Sequence, residues 1–75
     1  MNYKIGQRFR LWDHWNSDTY LLCRTGKNML GLINLASGVS WDKGVAYDDV
    51  KGITEDNMLE LTGENNWKEI FTLVN

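Results

Sequence analysis

The sequence predicts a small, mainly β domain, and three observations lead to that prediction. The chain contains no proline, and its seven glycines are spaced as turn signals between short segments. Residues 19–24 and 29–35 are rich in aliphatic side chains, as the central strands of a sheet are. We expect a small SH3-like barrel of about five short strands with one short helix near residues 54–62. The alternative is an open α+β antiparallel sheet with the helix packed on one face.

One domain, residues 1–75, is expected from this length. Cys23 is the only cysteine and His14 the only histidine, so the residues offer neither an intrachain disulfide nor a zinc site. We expect no metal and no cofactor. Stability must therefore come from packing, and 43% of the residues, including four tryptophans, are hydrophobic.

The first strand is predicted over Gln7–Trp12, where polar and apolar residues alternate and Phe9 and Leu11 share one face. The turn formers of Asp13–Asp18 predict a loop. The residues that follow this loop, from Thr19 to Trp41, predict a three-stranded meander.

The first hairpin of the meander is expected to turn at Gly26-Lys27, which suits a two-residue turn. That turn pairs Tyr20 with Ile33. It would place alternate residues on two apolar faces, one with Leu21, Cys23, Leu30 and Leu32 and the other with Tyr20, Leu22, Met29 and Ile33.

The second hairpin is expected to turn through Ala36–Gly38, with Gly38 in the left-handed conformation. That loop pairs Ile33 with Trp41. Tyr20, Ile33 and Trp41 would then form a row across three strands.

The C-terminal half predicts a turn at Lys43-Gly44, a short strand over Val45–Tyr47 and then a helix. Thr54 suits the N-cap of that helix and Gly63 its C-terminal stop. Its buried side would carry Met58, Leu59 and Leu61. Residues Trp67–Val74 alternate as a final strand that can pair with the first one.

Charge and hydropathy argue against two classes of function, nucleic-acid binding and membrane association. The net charge is −2, the pI is about 5.1, and the eight basic residues are scattered, so a nucleic-acid partner is disfavoured. No segment approaches the ~20 apolar residues of a membrane span, and the N-terminus lacks a signal-peptide pattern. We expect a cytoplasmic protein with no membrane association.

Catalysis is not predicted. His14 lies beside Asp13, but adjacent residues on a strand point in opposite directions, and no nucleophile can be placed near them. Cys23 lies in an apolar strand, where a thiol is usually a small core side chain. We therefore expect a protein that is not an enzyme.

Partner binding is a better interpretation of the aromatic residues, because tryptophan and tyrosine dominate interface hot spots. The acidic residues around Tyr47 lack the ligand order of a calcium loop and instead suit a solvated loop or a face for a basic partner. The predicted partner-binding residues are Trp12, His14, Trp15, Trp41, Tyr47, Asp48 and Asp49.

The stretch YLLCRTGKNMLGLINLASGVSWDKGV, residues 20–45, resembles small proteins of unknown function carried by bacteriophages and mobile elements. The shared features are a Tyr-Leu strand, a Leu-Ile-Asn-Leu strand, a Ser-Gly turn and a following tryptophan. The resemblance implies a phage or prophage accessory factor in the host cytoplasm that binds a host or phage protein.

Two other functions remain open. Phe9, Trp12, Tyr20 and Trp41 would bind single-stranded nucleic acid if they formed an exposed stacking platform. A structural or assembly subunit would instead complete its core by forming a homo-oligomer. The residues do not decide the oligomeric state.

Overall fold

A computed structural model describes residues 2–12 and 17–74. Five antiparallel strands form one sheet in the order β4-β3-β2-β1-β5. The strands are β1 (Arg8–Trp12), β2 (Ser17–Gly26), β3 (Met29–Asn34), β4 (Ser40–Ala46) and β5 (Phe71–Val74), and the helices are α1 (Glu55–Thr62) and α2 (Trp67–Ile70). The predicted mainly β fold with five strands and a short helix near 54–62 is confirmed.

The sheet curls but does not close into a barrel, so the SH3-like barrel expected above is replaced by an open antiparallel sheet. Its two edge strands, β4 and β5, approach through side chains: the ring centroids of Trp41 and Phe71 are 5.4 Å apart. Tyr20 contacts both rings, at 5.6 and 5.8 Å. Aromatic packing fills the place where a closed barrel would need a hydrogen-bonded seam.

The core lies on one side of the sheet, which we call the inner face. Alternate residues of every strand point into it, among them Phe9, Leu22, Leu32 and Val45. Helix α1 covers β3 and β4 from this side, and a bridge between Tyr3 and Ile53 closes it beside α2. The opposite face of the sheet, the outer face, has no helix on it in the described part of the chain.

The β2–β3 hairpin differs by one residue from its predicted register. The turn falls at Lys27-Asn28, with Asn28 left-handed at φ 58°, and Tyr20 pairs with Asn34 rather than with Ile33. Asparagine tolerates the left-handed conformation better than most residues, so this turn competes with Gly26-Lys27. Moving the turn by one residue shifts the pairing by two and would keep the faces. The bulge at Thr25 then takes one residue of β2 out of the ladder, so the net shift is one residue and the faces are exchanged. The inner face therefore carries Tyr20, Leu22, Leu30 and Leu32, and the outer face Leu21, Cys23, Met29 and Ile33.

The β3–β4 hairpin is also shifted by one residue, because Asn34 caps the turn. Its side-chain oxygen accepts hydrogen bonds from the backbone N–H groups of Ala36 and Ser37, at 2.8 and 3.2 Å, which draws Leu35 into the loop. Ser40, not Trp41, then faces Ile33. The predicted left-handed Gly38 is confirmed at φ 77°. Tyr20 and Trp41 still share a face, but Ile33 points the other way.

Two further segments differ from prediction. The turn expected at Lys43-Gly44 is an irregularity inside β4, with Gly44 at φ 73°, and the strand ends at Ala46. Residues 67–70 form the helical turn α2 rather than strand, because this turn brings Trp67 against Tyr3, 5.6 Å between ring centroids. The pairing of the final strand with β1 is confirmed.

The caps of α1 are those predicted. The Thr54 hydroxyl accepts a hydrogen bond from the N–H of Asn57, whose side chain accepts one from the N–H of Thr54, and Gly63 ends the helix at φ 71°. Met58 and Leu61 are buried as expected. Leu59 lies on the exposed side of the helix, which corrects its predicted place in the core.

Gly31 on β3 lies close to the side chain of Thr25 on β2. A Cβ at this position would lie 2.3 Å from Cγ2 of Thr25, the residue that the bulge in β2 leaves out of the ladder. Thr25 lies close enough to Asp42 to lower the pKa of that carboxyl group, and this neighbour resists rotation of the Thr25 side chain. Gly31→Ala is expected to lower the free energy of unfolding by about 1–3 kcal/mol, measured by urea denaturation.

Two variants control this experiment. Thr25→Ser removes Cγ2 and keeps the hydroxyl. Combined with Gly31→Ala in a double variant, it should restore most of the stability that Gly31→Ala alone loses. Gly26→Ala adds a Cβ that meets only Met29, at 3.5 Å, and should change stability by less than about 1 kcal/mol. Equal effects of the two glycine substitutions would show that the contact with Thr25 has no energetic weight.

Candidate protein-binding surface

Strand β1 places unlike residues on its two faces. Phe9 and Leu11 point into the core, whereas Arg8, Arg10 and Trp12 point to the outer face. Trp12 is the clearest departure from ordinary burial, because 68% of its surface is exposed. One strand therefore presents two arginines and an indole to solvent on the same side.

The outer face beside these residues is partly apolar. Arg8 lies between Val74 of β5 and Leu21 of β2, and Leu21 is paired in turn with Ile33 of β3. The three apolar side chains are half-buried with no helix over them. The result is a short apolar row across the outer face that Arg8 interrupts between Val74 and Leu21.

The end of the sheet that carries Trp12 exposes two further apolar side chains. Leu35 and Val39 belong to the β3–β4 turn and are 52% and 63% exposed. The backbone N–H of Leu35 donates to the carbonyl of Thr19, which fixes this turn against the start of β2. We call the group of Arg8, Arg10, Trp12, Leu35 and Val39 the tip surface.

The tip surface is positively charged. In residues 2–12 and 17–74 the ion pairs are Arg24–Asp49 and Lys68–Glu55, so neither arginine of β1 is paired with a carboxylate there. The hydrogen bond from Lys68 lowers the pKa of Glu55, and Glu55 raises the pKa of Lys68. Neither of these pairs involves Arg8 or Arg10 within the described residues.

The residues predicted to bind a partner do not form one site. Trp12 lies on the outer face, and Trp41 lies on the inner face, partly buried against Tyr20 and Phe71. His14 and Trp15 lie outside the described residues. Their predicted contacts stay predictions.

The acidic loop after β4 uses its side chains internally. Asp48 accepts a hydrogen bond from the backbone N–H of Val50, at 2.9 Å, and its carbonyl accepts from Lys51 and Gly52. Asp49 pairs with Arg24, whose guanidinium lies over the buried ring of Tyr47. Both aspartates therefore have contacts within the chain, and a contact of Tyr47, Asp48 or Asp49 with a partner stays a prediction.

The four aromatic residues considered for nucleic-acid stacking do not share an exposed surface. Phe9 and Tyr20 are buried in the core, and Trp41 packs on Tyr20. Trp12 points to the opposite face of the sheet. Stacking of successive bases needs several exposed rings side by side, and these rings do not provide them.

The arginines of β1 were not among the predicted contact residues, although the alternation in Gln7–Trp12 places them opposite Phe9 and Leu11. No comparable pattern in the sequence predicts that Leu35 and Val39 are exposed. Their exposure depends on the extra turn residues that Asn34 adds.

Cysteine and candidate metal ligands are placed as follows in the described residues. Cys23 lies on the outer face, where burial raises the pKa of its thiol, so the reactive thiolate is disfavoured. Within the described ranges, no cluster of three or more histidine, cysteine or acidic residues could hold a metal ion. No helix in that part of the chain has the length and apolarity to cross a membrane. Comparison with protein families, curated proteins and solved structures finds no match to the chain.

Proposed function

We propose that this chain is a non-enzymatic protein-binding module that uses the tip surface. The observation that carries the proposal is Trp12, a large side chain left 68% exposed on the same strand face as two arginines. Tryptophan and arginine are enriched among the residues that contribute most to binding at protein interfaces, because an indole buries a large area with few rotatable bonds and a guanidinium donates several hydrogen bonds in a fixed plane. Leu35 and Val39 extend the apolar part of this surface.

The chemistry of the surface suits a partner segment that carries acidic residues among apolar ones. Arg8 and Arg10 would pair with carboxylates, which steers association and sets orientation. Trp12 and the exposed aliphatic side chains would cover apolar groups of the partner. The resemblance of residues 20–45 to phage and mobile-element proteins supports a phage or prophage accessory role in which the partner is a host or phage protein.

A binding experiment with matched variants tests the proposal. The partner is isolated from host lysate with the tagged chain, identified by mass spectrometry, purified and titrated by calorimetry. Trp12→Ala is expected to weaken binding about 30-fold, the equivalent of a hot spot of about 2 kcal/mol. Arg10→Glu should weaken it too, and more at low than at high salt.

Controls lie at the other end of the sheet. Lys27→Glu makes the same charge change in the β2–β3 turn, and Val50→Ala removes an exposed apolar side chain from the loop after β4. Both should leave the affinity unchanged. A partner that binds the Trp12→Ala and Arg10→Glu variants as tightly as the unaltered chain would refute the tip surface. Nuclease-sensitive capture would favour nucleic acid, and self-association in light scattering would favour an assembly subunit.

A further inference from the structure

A concave site lies at the opposite end of the sheet from the tip surface. The pocket has a volume of about 260 Å³ and lies where the N-terminal segment meets the loop after β4. Ile5 and Ile53 supply apolar lining, and Lys4, Arg24 and Asp49 supply charge. Tyr47 also lines the pocket.

Tyr47 carries a polar group that the fold does not use. Its side chain is 9% exposed, and its hydroxyl is buried without a hydrogen-bond partner in the described residues. An unsatisfied buried hydroxyl costs free energy, whereas phenylalanine would fill the same space without that cost. A tyrosine here is better explained by a hydrogen bond made to something that the free chain lacks.

The groups beside this hydroxyl can rearrange. The guanidinium of Arg24 lies over the Tyr47 ring, 5.8 Å from its centroid, and pairs with Asp49. Both side chains of that pair are about half exposed, at 49% and 48%, so water or another anion can replace Asp49. Burial raises the pKa of Tyr47 most, and the nearby Asp49 carboxylate raises it further while Arg24 lowers it, so both side chains lie close to the hydroxyl without meeting hydrogen-bond geometry.

We propose that this pocket binds a carboxylate joined to a compact aliphatic group. The ligand carboxylate takes the place of Asp49 on Arg24 and accepts a hydrogen bond from the Tyr47 hydroxyl. Its aliphatic group packs against Ile5 and Ile53. The planar guanidinium matches a carboxylate in geometry, and Lys4 adds a second positive charge at the rim.

The pocket volume limits the size of the ligand. About 260 Å³ corresponds to roughly nine water volumes, which is room for one leucine-sized residue and less than a drug-sized ligand needs. The same chemistry occurs in a free branched-chain acid and in the C-terminal residue of a peptide.

An NMR titration of the ¹⁵N-labelled chain tests the site. N-acetyl-leucine at millimolar concentration should shift the Arg24 side-chain N–H and the Gly52 backbone amide. N-acetyl-leucinamide, which lacks the carboxylate, should not. Comparison of 4-methylpentanoate with N-acetyl-Gly-Gly-Leu distinguishes the two sources, since a peptide site should bind the tripeptide at least as tightly.

Variants separate a binding role from a structural one. The Tyr47→Phe variant should bind N-acetyl-leucine about tenfold more weakly, while its melting temperature stays the same or rises. Asp49→Asn removes the internal competitor and should tighten binding several-fold, whereas Arg24→Gln should abolish it. Tyr20→Phe, a buried tyrosine outside the pocket, is the control and should bind normally.

Three outcomes would overturn the proposal: no shift with N-acetyl-leucine, equal shifts with the amide, or unchanged binding by Tyr47→Phe. The site is independent of the tip surface. Trp12→Ala should therefore bind N-acetyl-leucine as the unaltered chain does, whatever its effect on a protein partner.

Discussion

Leu61→Ala is expected to lower the free energy of unfolding by about 2–5 kcal/mol, because Leu61 is fully buried where α1 meets the inner face of the sheet. A domain of 75 residues has a total stability of roughly 4–11 kcal/mol at ordinary values per residue. One substitution would thus remove a large share of it. Urea denaturation followed by circular dichroism measures the loss.

Leu59→Ala is the matched control for this helix. It makes the same chemical change two residues earlier, at a side chain that is 36% exposed. Its effect should be smaller, about 1 kcal/mol, since part of this side chain stays in water after folding and its truncation leaves no enclosed cavity. Similar losses for the two variants would mean that α1 packs on the sheet through a different side.

Leu22→Ala is expected to destabilise the chain by about 2–5 kcal/mol as well, for a reason that concerns register. Leu22 is fully buried on the inner face, opposite Leu32 of β3. The cavity left there would lie in the centre of the sheet, where the strands on both sides are held in place and cannot collapse into it. Thermal and urea unfolding both report the loss.

Leu21→Ala tests the same register from the other face. Leu21 is half-buried on the outer face, so its truncation should cost about 1 kcal/mol and leave no internal cavity. With the turn at Gly26-Lys27, Leu21 would share the face of Leu30 and Leu32, and Leu22 that of Ile33. A larger loss for Leu21→Ala than for Leu22→Ala would contradict the register in the structure.

The tip surface was only partly predictable. Trp12 stands out in the sequence because of its residue type, and strand alternation places Arg8 and Arg10 on its side. Trp41 stands out equally, yet it packs on Tyr20 and Phe71. Composition identifies which residues are able to anchor a partner, but burial selects among them, and burial depends on which face of the sheet the helices cover.

The Tyr47 pocket shows the same limit at another place. Arg24 and Asp49 are 25 positions apart in the chain, and Ile5 lies in the N-terminal segment, far from Asp49 in sequence. Nothing local in the sequence links these residues. They meet because Tyr3 pairs with Ile53 and because β2 ends beside the loop that follows β4.

Local chemistry determined several elements of this protein from the sequence alone. Alternation defined β1, the Thr54 and Gly63 caps bounded α1, and the left-handed glycine at position 38 marked a turn. Each depends on backbone preferences and hydrogen bonds within a few residues, so neighbouring residues suffice to predict it.

Tertiary structure decided the register of both hairpins, the helical turn at Trp67 and the open sheet. The turns at Gly26-Lys27 and Lys27-Asn28 are both locally acceptable. The bulge at Thr25 decides which residues of β2 and β3 share a face, because it changes the pairing by a single residue. The choice is made by the apolar area that each register buries against α1 and the aromatic cluster, a quantity that exists only once the distant segments have met.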